Sequence, residues 1–146
     1  MSRTTILLVI VLLLAGCLGG STSAASPSQT ARLQAEALVA GDVDTYASFL
    51  LDDWWDFGGC VKHAKSEMLA NARGEPSTAN AGDVYDINHI QVKRGLDVPF
   101  YTRCGAAGVR DGDQAIYIPL KPGQPGDGFS GLYRVVGGRW MMIGGD

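Results

Sequence analysis

The order of apolar and polar positions divides the chain into four regions. Ile6 to Ala15 is an almost unbroken apolar run, and residues 18–28, LGGSTSAASPS, have neither period nor charge. From about Gln29 a helical period begins, with Ala31, Ala35, Leu38 and Val39 on one stripe. Gly41 stands where a left-handed C-terminal cap is needed, and Asp42 is a good N-cap for a second helix. That helix carries Val43, Tyr46, Ala47, Phe49 and Leu50 and is expected to end near Asp52 and Asp53. A third is expected from about Cys60 to Arg73, with Val61, Ala64, Met68, Leu69 and Ala72 on one face and Gly74 and Pro76 closing it.

After Gly82 the pattern alternates. VYDINHIQVK, VPFYTRC, QAIYIPLK, FSGLYRVV and RWMMIG read as strands, and the last two flank Gly137-Gly138, a primed-turn hairpin signal. KPGQPGDGFSG is a loop. Helices followed by strands predict an α+β fold with helices packed on one face of an antiparallel sheet.

The N-terminus changes the picture of where the chain acts. Arg3, about a dozen apolar residues and then small residues form the layout of a secretory signal, shorter than the ~20 residues of a membrane-spanning helix. Leu14-Ala15-Gly16-Cys17 resembles the bacterial lipoprotein processing box. The resemblance implies cleavage after Gly16, diacylglycerol on Cys17 and acylation of the new N-terminus. The expected organisation is therefore a signal peptide over 1–16, a flexible tether over 17–28 and a folded domain over 29–146. Each buried acyl CH₂ contributes roughly 0.8 kcal/mol, so two or three chains hold a protein that one would release. The expected location is the extracytoplasmic side of a membrane in a bacterial envelope.

Of three cysteines, Cys60 and Cys104 remain after Cys17 is lipidated. Outside the cytosol such a pair is expected to bridge, at roughly 4 kcal/mol for a loop of about this length. The alternatives are two buried thiols or a redox thiol, and no CxxC spacing supports the last.

Composition excludes some partners. The net charge is −3 and no Lys/Arg run could track phosphates, so no nucleic-acid partner is expected. His63 and His89, the two histidines, have no ligand-spaced companions, and Gly126-Asp127-Gly128 lacks the strand–helix context of a phosphate loop. Neither a metal nor a cofactor is expected. Asp52, Asp53 and Asp56 admit an acid–base reading, against which stands that of plain helix-end and loop charges.

EALVAGDVDTYASFLLDD, residues 36–53, resembles the opening of the nuclear-transport-factor-2-like superfamily, which includes ketosteroid isomerases and polyketide cyclases. A following helix, four or so strands and a last hairpin ending in Gly138-Arg139-Trp140 also fit. The resemblance implies helices in the concave face of a curved sheet, a cone with a pocket at its open end. It places the isomerase tyrosine on Gln34 and the base on Gly58, with Asp56 the one nearby carboxylate. A glycine is no base and an amide is a weaker, neutral donor, so the resemblance leans away from catalysis. Tyr46, Phe49, Trp54, Trp55, Tyr85 and Tyr117 are the candidates to line an apolar pocket for a small hydrophobic ligand; the bland reading is that they fill the core.

The expectation is a membrane-anchored lipoprotein with a non-catalytic binding or accessory module. The rival classes are a small cyclase or isomerase using Asp56, and a scaffold that dimerises through its sheet. Replacing Cys17 with Ala is expected to leave unprocessed precursor that incorporates no labelled fatty acid. Normal processing and labelling of that variant refute the anchor.

Overall fold

The computed structural model describes residues 26–72 and 80–145. The apolar leader, Cys17 and most of the tether lie outside these residues, as do Gly74 and Pro76.

Helix α1, Pro27–Ala40, begins two residues inside the stretch read as tether: Ser26 caps it by accepting from the Gln29 N–H at 3.2 Å, and Pro27 occupies its first turn. Gly41, at φ 70°, ends it as expected. The buried side is small: Ala31, Ala35 and Ala37, with Thr30 and Gln34. Helix α2, Val43–Ser48, is capped by Asp42, which accepts from the Thr45 N–H at 3.0 Å.

The second helix therefore stops short of Asp52 and Asp53, and Leu50–Asp56 is strand β1. Trp54 packs against one cluster of core residues and Trp55 against another. Adjacent side chains fall on opposite faces in a strand, whereas in a helix they sit about 100° apart. The expected third helix is also cut. Cys60 takes a positive φ of 54°, and Val61–Ala64 is strand β2, paired antiparallel with Asp53–Asp56. Only Lys65–Ala72 remains helical, as α3.

VYDINHIQVK is not one strand. Helix α4, Ala81–Val84, precedes a single bridge between Tyr85 and Leu120. A turn follows in which the His89 N–H donates to the Asp86 carbonyl at 3.0 Å, and strand β3 is only Gln91–Arg94. Within VPFYTRC, Pro99–Thr102 is helix α5, entered through a proline whose ring suits a first helical turn. Tyr101 meets the Phe57 ring edge-on at 4.9 Å. Strands β4 (Gln114–Ile118), β5 (Phe129–Val136) and β6 (Arg139–Gly145) follow the expected pattern. Gly137 and Gly138 have φ of 59° and 77°, the two positive values a type I′ turn requires.

The fold is α+β, with one open sheet of six strands in the order β2-β1-β6-β5-β4-β3. It is not wholly antiparallel, since β1 and β6 run parallel. Helix α1 packs on β4, β5 and β6. Two cores result. Ala31, Ala35, Leu50, Ile116, Ile118 and Tyr133 belong to the helix-side cluster, and Phe57, Tyr101, Cys104, Leu132 and Ile143 to the other.

The segment between β3 and β4 is fastened by polar and covalent links. Cys60 and Cys104 form the expected disulfide, with Cα atoms 5.3 Å apart. The Arg103 guanidinium donates to the Phe57 carbonyl at 2.6 and 3.2 Å and to that of Gly58 at 2.8 Å. Buried Asp113 accepts two bonds from Arg134, at 2.7 and 2.6 Å, and one from the Arg110 N–H at 2.7 Å. Among the described residues no helix is long and apolar enough to cross a membrane.

At Gly144 the parallel pairing leaves no room for a side chain. A β-carbon there would collide with the Trp55 carbonyl oxygen and lie 2.5 Å from the Phe57 ring. Substituting Ala for Gly144 is expected to destabilise the fold by about 2–3 kcal/mol, read as a lower urea midpoint. An unchanged midpoint would show that β1 and β6 can separate at little cost.

Candidate functional site

A cleft of about 790 Å³ opens beside β4 and β5. Its walls include the successive residues Ala115, Ile116 and Tyr117 of β4, and Gly128, Phe129 and Ser130 at the start of β5. Side chains alternate along a strand, so both faces of the sheet contribute. From the helix-side core come Tyr46, Trp54, Tyr85, Ile116, Phe129 and Met142; from the other come Val98, Phe100, Tyr101 and Ala115. Leu38, expected in the buried stripe of α1, is 42% exposed and flanks the cleft instead. Gln91, Lys93 and Asp127 supply polar groups from exposed positions.

The backbone fixes this arrangement. Tyr117 stands opposite Gln91 on β3 and Ser130 on β5, which sets the three side chains in one row. Gly128 lets the incoming loop lie against the Tyr117 ring, because a β-carbon would sit 2.6 Å from that ring. Tyr85 reaches the cleft through its bridge to Leu120, and its ring meets Phe129 edge-on at 6.3 Å.

Four of the six aromatic candidates line the cleft: Tyr46, Trp54, Tyr85 and Tyr117. The other two do not. Phe49 is buried beneath the Arg139 guanidinium, 5.9 Å from its ring centre, and Trp55 packs on the opposite core. The reason for Trp55 is parity: β1 can point only one of two adjacent indoles to each face.

The carboxylate candidates have structural partners. Asp53 pairs with Lys62 at 2.6 Å and Asp52 with Lys65 at 3.1 Å, both at the surface. Asp56, at the end of β1, accepts from the Gly59 N–H at 3.0 Å and does not line the cleft. His63 lies on β2 opposite Trp54 rather than on a helix, and His89 contacts Asp86 at 2.7 Å in a turn. Among the described residues no group of three His, Cys, Asp or Glu side chains is arranged to hold a metal ion.

Gln34, at the tyrosine position implied by the resemblance, is fully buried and committed elsewhere. Its carbonyl accepts from the Tyr133 hydroxyl at 2.7 Å, and its amide donates to the Tyr46 carbonyl at 3.4 Å. These bonds tie α1 to β5 and to α2 behind the cleft wall.

The polar atoms of the helix-side wall are neutral donors. Burial, and then the nearby Tyr85 phenol, push the Tyr46 hydroxyl up to about 12. Burial also raises Tyr85. Tyr133 is raised further, by burial first and then by Tyr46 and Tyr101. The Trp54 indole nitrogen is the one buried side-chain nitrogen or oxygen among the described residues without a hydrogen-bond partner. Such a wall accommodates apolar, uncharged matter and disfavours negative charge.

Sequence reasoning missed Phe100 and Tyr101, which the pattern assigned to a strand, and Met142, which lay in a correctly read strand without a sign of its face. The Pro99 start of a helical turn was the available signal for the first two. No protein-family model, no curated protein and no solved structure matches this chain.

The tyrosine shifts have a direct consequence. A phenol ionises near 10 in the unfolded chain, so the unfolded state loses its proton first and gains on the folded state above that pH. Stability is therefore fully present below about pH 10 and falls as pH rises through about 12. Replacing Tyr46 with Phe is expected to remove about 2–3 kcal/mol of this alkaline loss, measured by urea unfolding across the range. An unchanged alkaline slope in that variant would refute the buried phenol.

Proposed function

We propose that the chain is a lipoprotein of a bacterial envelope, anchored through Cys17, whose folded part binds a small hydrophobic ligand and does not catalyse a reaction. Its fold is, on this reading, the nuclear-transport-factor-2-like cone. The observation that carries the binding function is the cleft of about 790 Å³ with tyrosine, tryptophan and phenylalanine walls. That volume is within the range of small-molecule sites, roughly 300–1,000 Å³, and a mainly apolar lining with a few polar atoms is their usual character.

The order of elements supports the cone: two helices joined at Gly41-Asp42, then strands β1 and β2, helix α3 and a terminal run of strands closing on the Gly137-Gly138 hairpin. Against catalysis stands the lining itself. Among the described residues, Asp127, in an exposed loop, is its only carboxylate, and no histidine or cysteine lines it. Gln34 and Gly58 occupy the isomerase positions, and Asp56 holds a turn. The anchor fits a module that meets its ligand at a membrane surface.

The test is binding of uncharged aromatic and aliphatic compounds to the full chain in phospholipid nanodiscs, against empty nanodiscs as the blank. Saturable quenching of tryptophan emission is expected. Substituting a bulky charged residue at the floor, Ile116→Arg, and a milder filling change, Ala115→Leu, should each abolish or weaken it. Binding that survives both changes, or the lack of any saturable signal, would overturn the reading.

A further inference from the structure

The buried Trp54 indole N–H has no hydrogen-bond partner among the described residues. A buried donor without an acceptor costs roughly 1–3 kcal/mol and calls for a reason. Trp54 shares the cleft lining with Ile116, Phe129 and Met142, whose side chains bring no oxygen, and with Tyr46 and Ser130, whose hydroxyls do not pair with it; β2 contributes the tilted His63 ring, its centre 6.4 Å away. The indole belongs to the cleft wall. Beside Gly145 the Met142 methyl, the Ser130 carbonyl oxygen and Trp54 Cζ2 lie 2.8, 3.0 and 3.6 Å from one point, and neither of the first two pairs with the indole nitrogen. A thioether chain yields more readily than a ring or a branched side chain.

We infer that Trp54 is the polar recognition element of the cleft, its indole N–H donating to an uncharged acceptor oxygen, a carbonyl or ether, on an otherwise apolar ligand that displaces the Met142 methyl. The inference rests on the binding function proposed above and adds the chemistry the ligand must carry. An indole N–H donates and cannot accept, so a ligand offering only a donor gains nothing there. An anion is disfavoured, because the neighbouring walls are buried tyrosines and aliphatic groups, while Lys93 stands at an exposed position on β3. Discrimination has a physical basis: a site with an unpaired polar atom rejects the analogue that cannot satisfy it.

The test compares acetylnaphthalene with isopropylnaphthalene, which share size and frame and differ in one carbonyl oxygen. The full chain in nanodiscs, labelled with nitrogen-15 at its three tryptophans, gives indole signals from Trp54, Trp55 and Trp140. Acetylnaphthalene is expected to move the Trp54 indole proton downfield and to bind about five- to tenfold tighter than the hydrocarbon. In Trp54→Phe, which keeps an aromatic ring but no N–H, that preference for the carbonyl over the hydrocarbon is expected to vanish.

Equal affinities in the wild type, or a carbonyl preference that persists in Trp54→Phe, would overturn the role of Trp54 and leave the binding function standing. Failure of both probes to perturb any tryptophan signal would overturn both. The shift of the Trp54 proton is read on the unmodified chain, so the inference is decided even if the variant folds poorly.

Discussion

Where β1 runs beside β6, the backbone of Gly144 comes so close to Trp55 that only a residue without a side chain fits, and the Phe57 N–H donates to the Gly145 carbonyl at 2.9 Å. The Met142 N–H makes a matching bond to the Phe49 carbonyl at 2.7 Å. These contacts join the first strand of the domain to its last, across 89 positions from Trp55 to Gly144. The rest of the architecture depends on that closure. With β1 pinned between β2 and β6, the parity of its side chains is set, so Trp54 faces the helices while Trp55 and Phe57 face the other way.

Two cores need two coverings, and the chain supplies them by different physics. On the helix side, α1 approaches the sheet through Ala31 and Ala35, and small side chains permit close contact. A single polar chain, Tyr133 to Gln34 to the Tyr46 carbonyl, orients it. On the other side the segment between β3 and β4 buries Tyr101, Cys104 and Ala107 and adds polar and covalent ties. It is tied by the Cys60–Cys104 bridge, by Arg103 reaching two carbonyls and by the Asp113–Arg134 pair. The buried Asp113 carboxylate is tolerable because both oxygens accept charge-assisted or backbone bonds, which offsets the cost of removing it from water.

How much of this the sequence disclosed depends on whether the governing interaction was local. The Gly41-Asp42 turn, the cap at Asp42 and the Gly137-Gly138 hairpin are set by residues within a few positions of one another, and they read correctly. The disulfide followed from counting cysteines against a compartment. Strands β1 and β2 did not, because Leu50 to Asp56 and Val61 to Ala64 fit an apolar helical stripe equally well. The strand character of β1 rests on a partner far away in sequence, β6, and β2 then adds to its edge through a local hairpin. For the same reason the cleft was half legible. Tyr46, Trp54, Tyr85 and Tyr117 were identifiable as aromatic, but which of two adjacent indoles faced inward required the register of β1. Leu38 and Ala37 exchanged their expected burial, since a one-position rotation of α1 is invisible in a weakly apolar stripe.

A cleft of this size persists only if its walls do not fall inward, and the structure shows why they hold. The strands that line it, β4 and β5, are paired with each other and held on their outer sides by β3 and β6, so this part of the wall is part of the sheet itself. The rings that line it are rigid bodies with two torsions each, several braced edge-on against another ring, as Tyr85 is by Phe129. Among the flexible side chains of the lining, Met142 reaches the same neighbourhood of Gly145 as the Trp54 ring. Rigid walls, raised phenols and a lone donor together make an environment that water serves poorly and charge is driven from. The ligand proposed for such a space is a neutral, largely apolar molecule whose one polar feature is an acceptor facing Trp54.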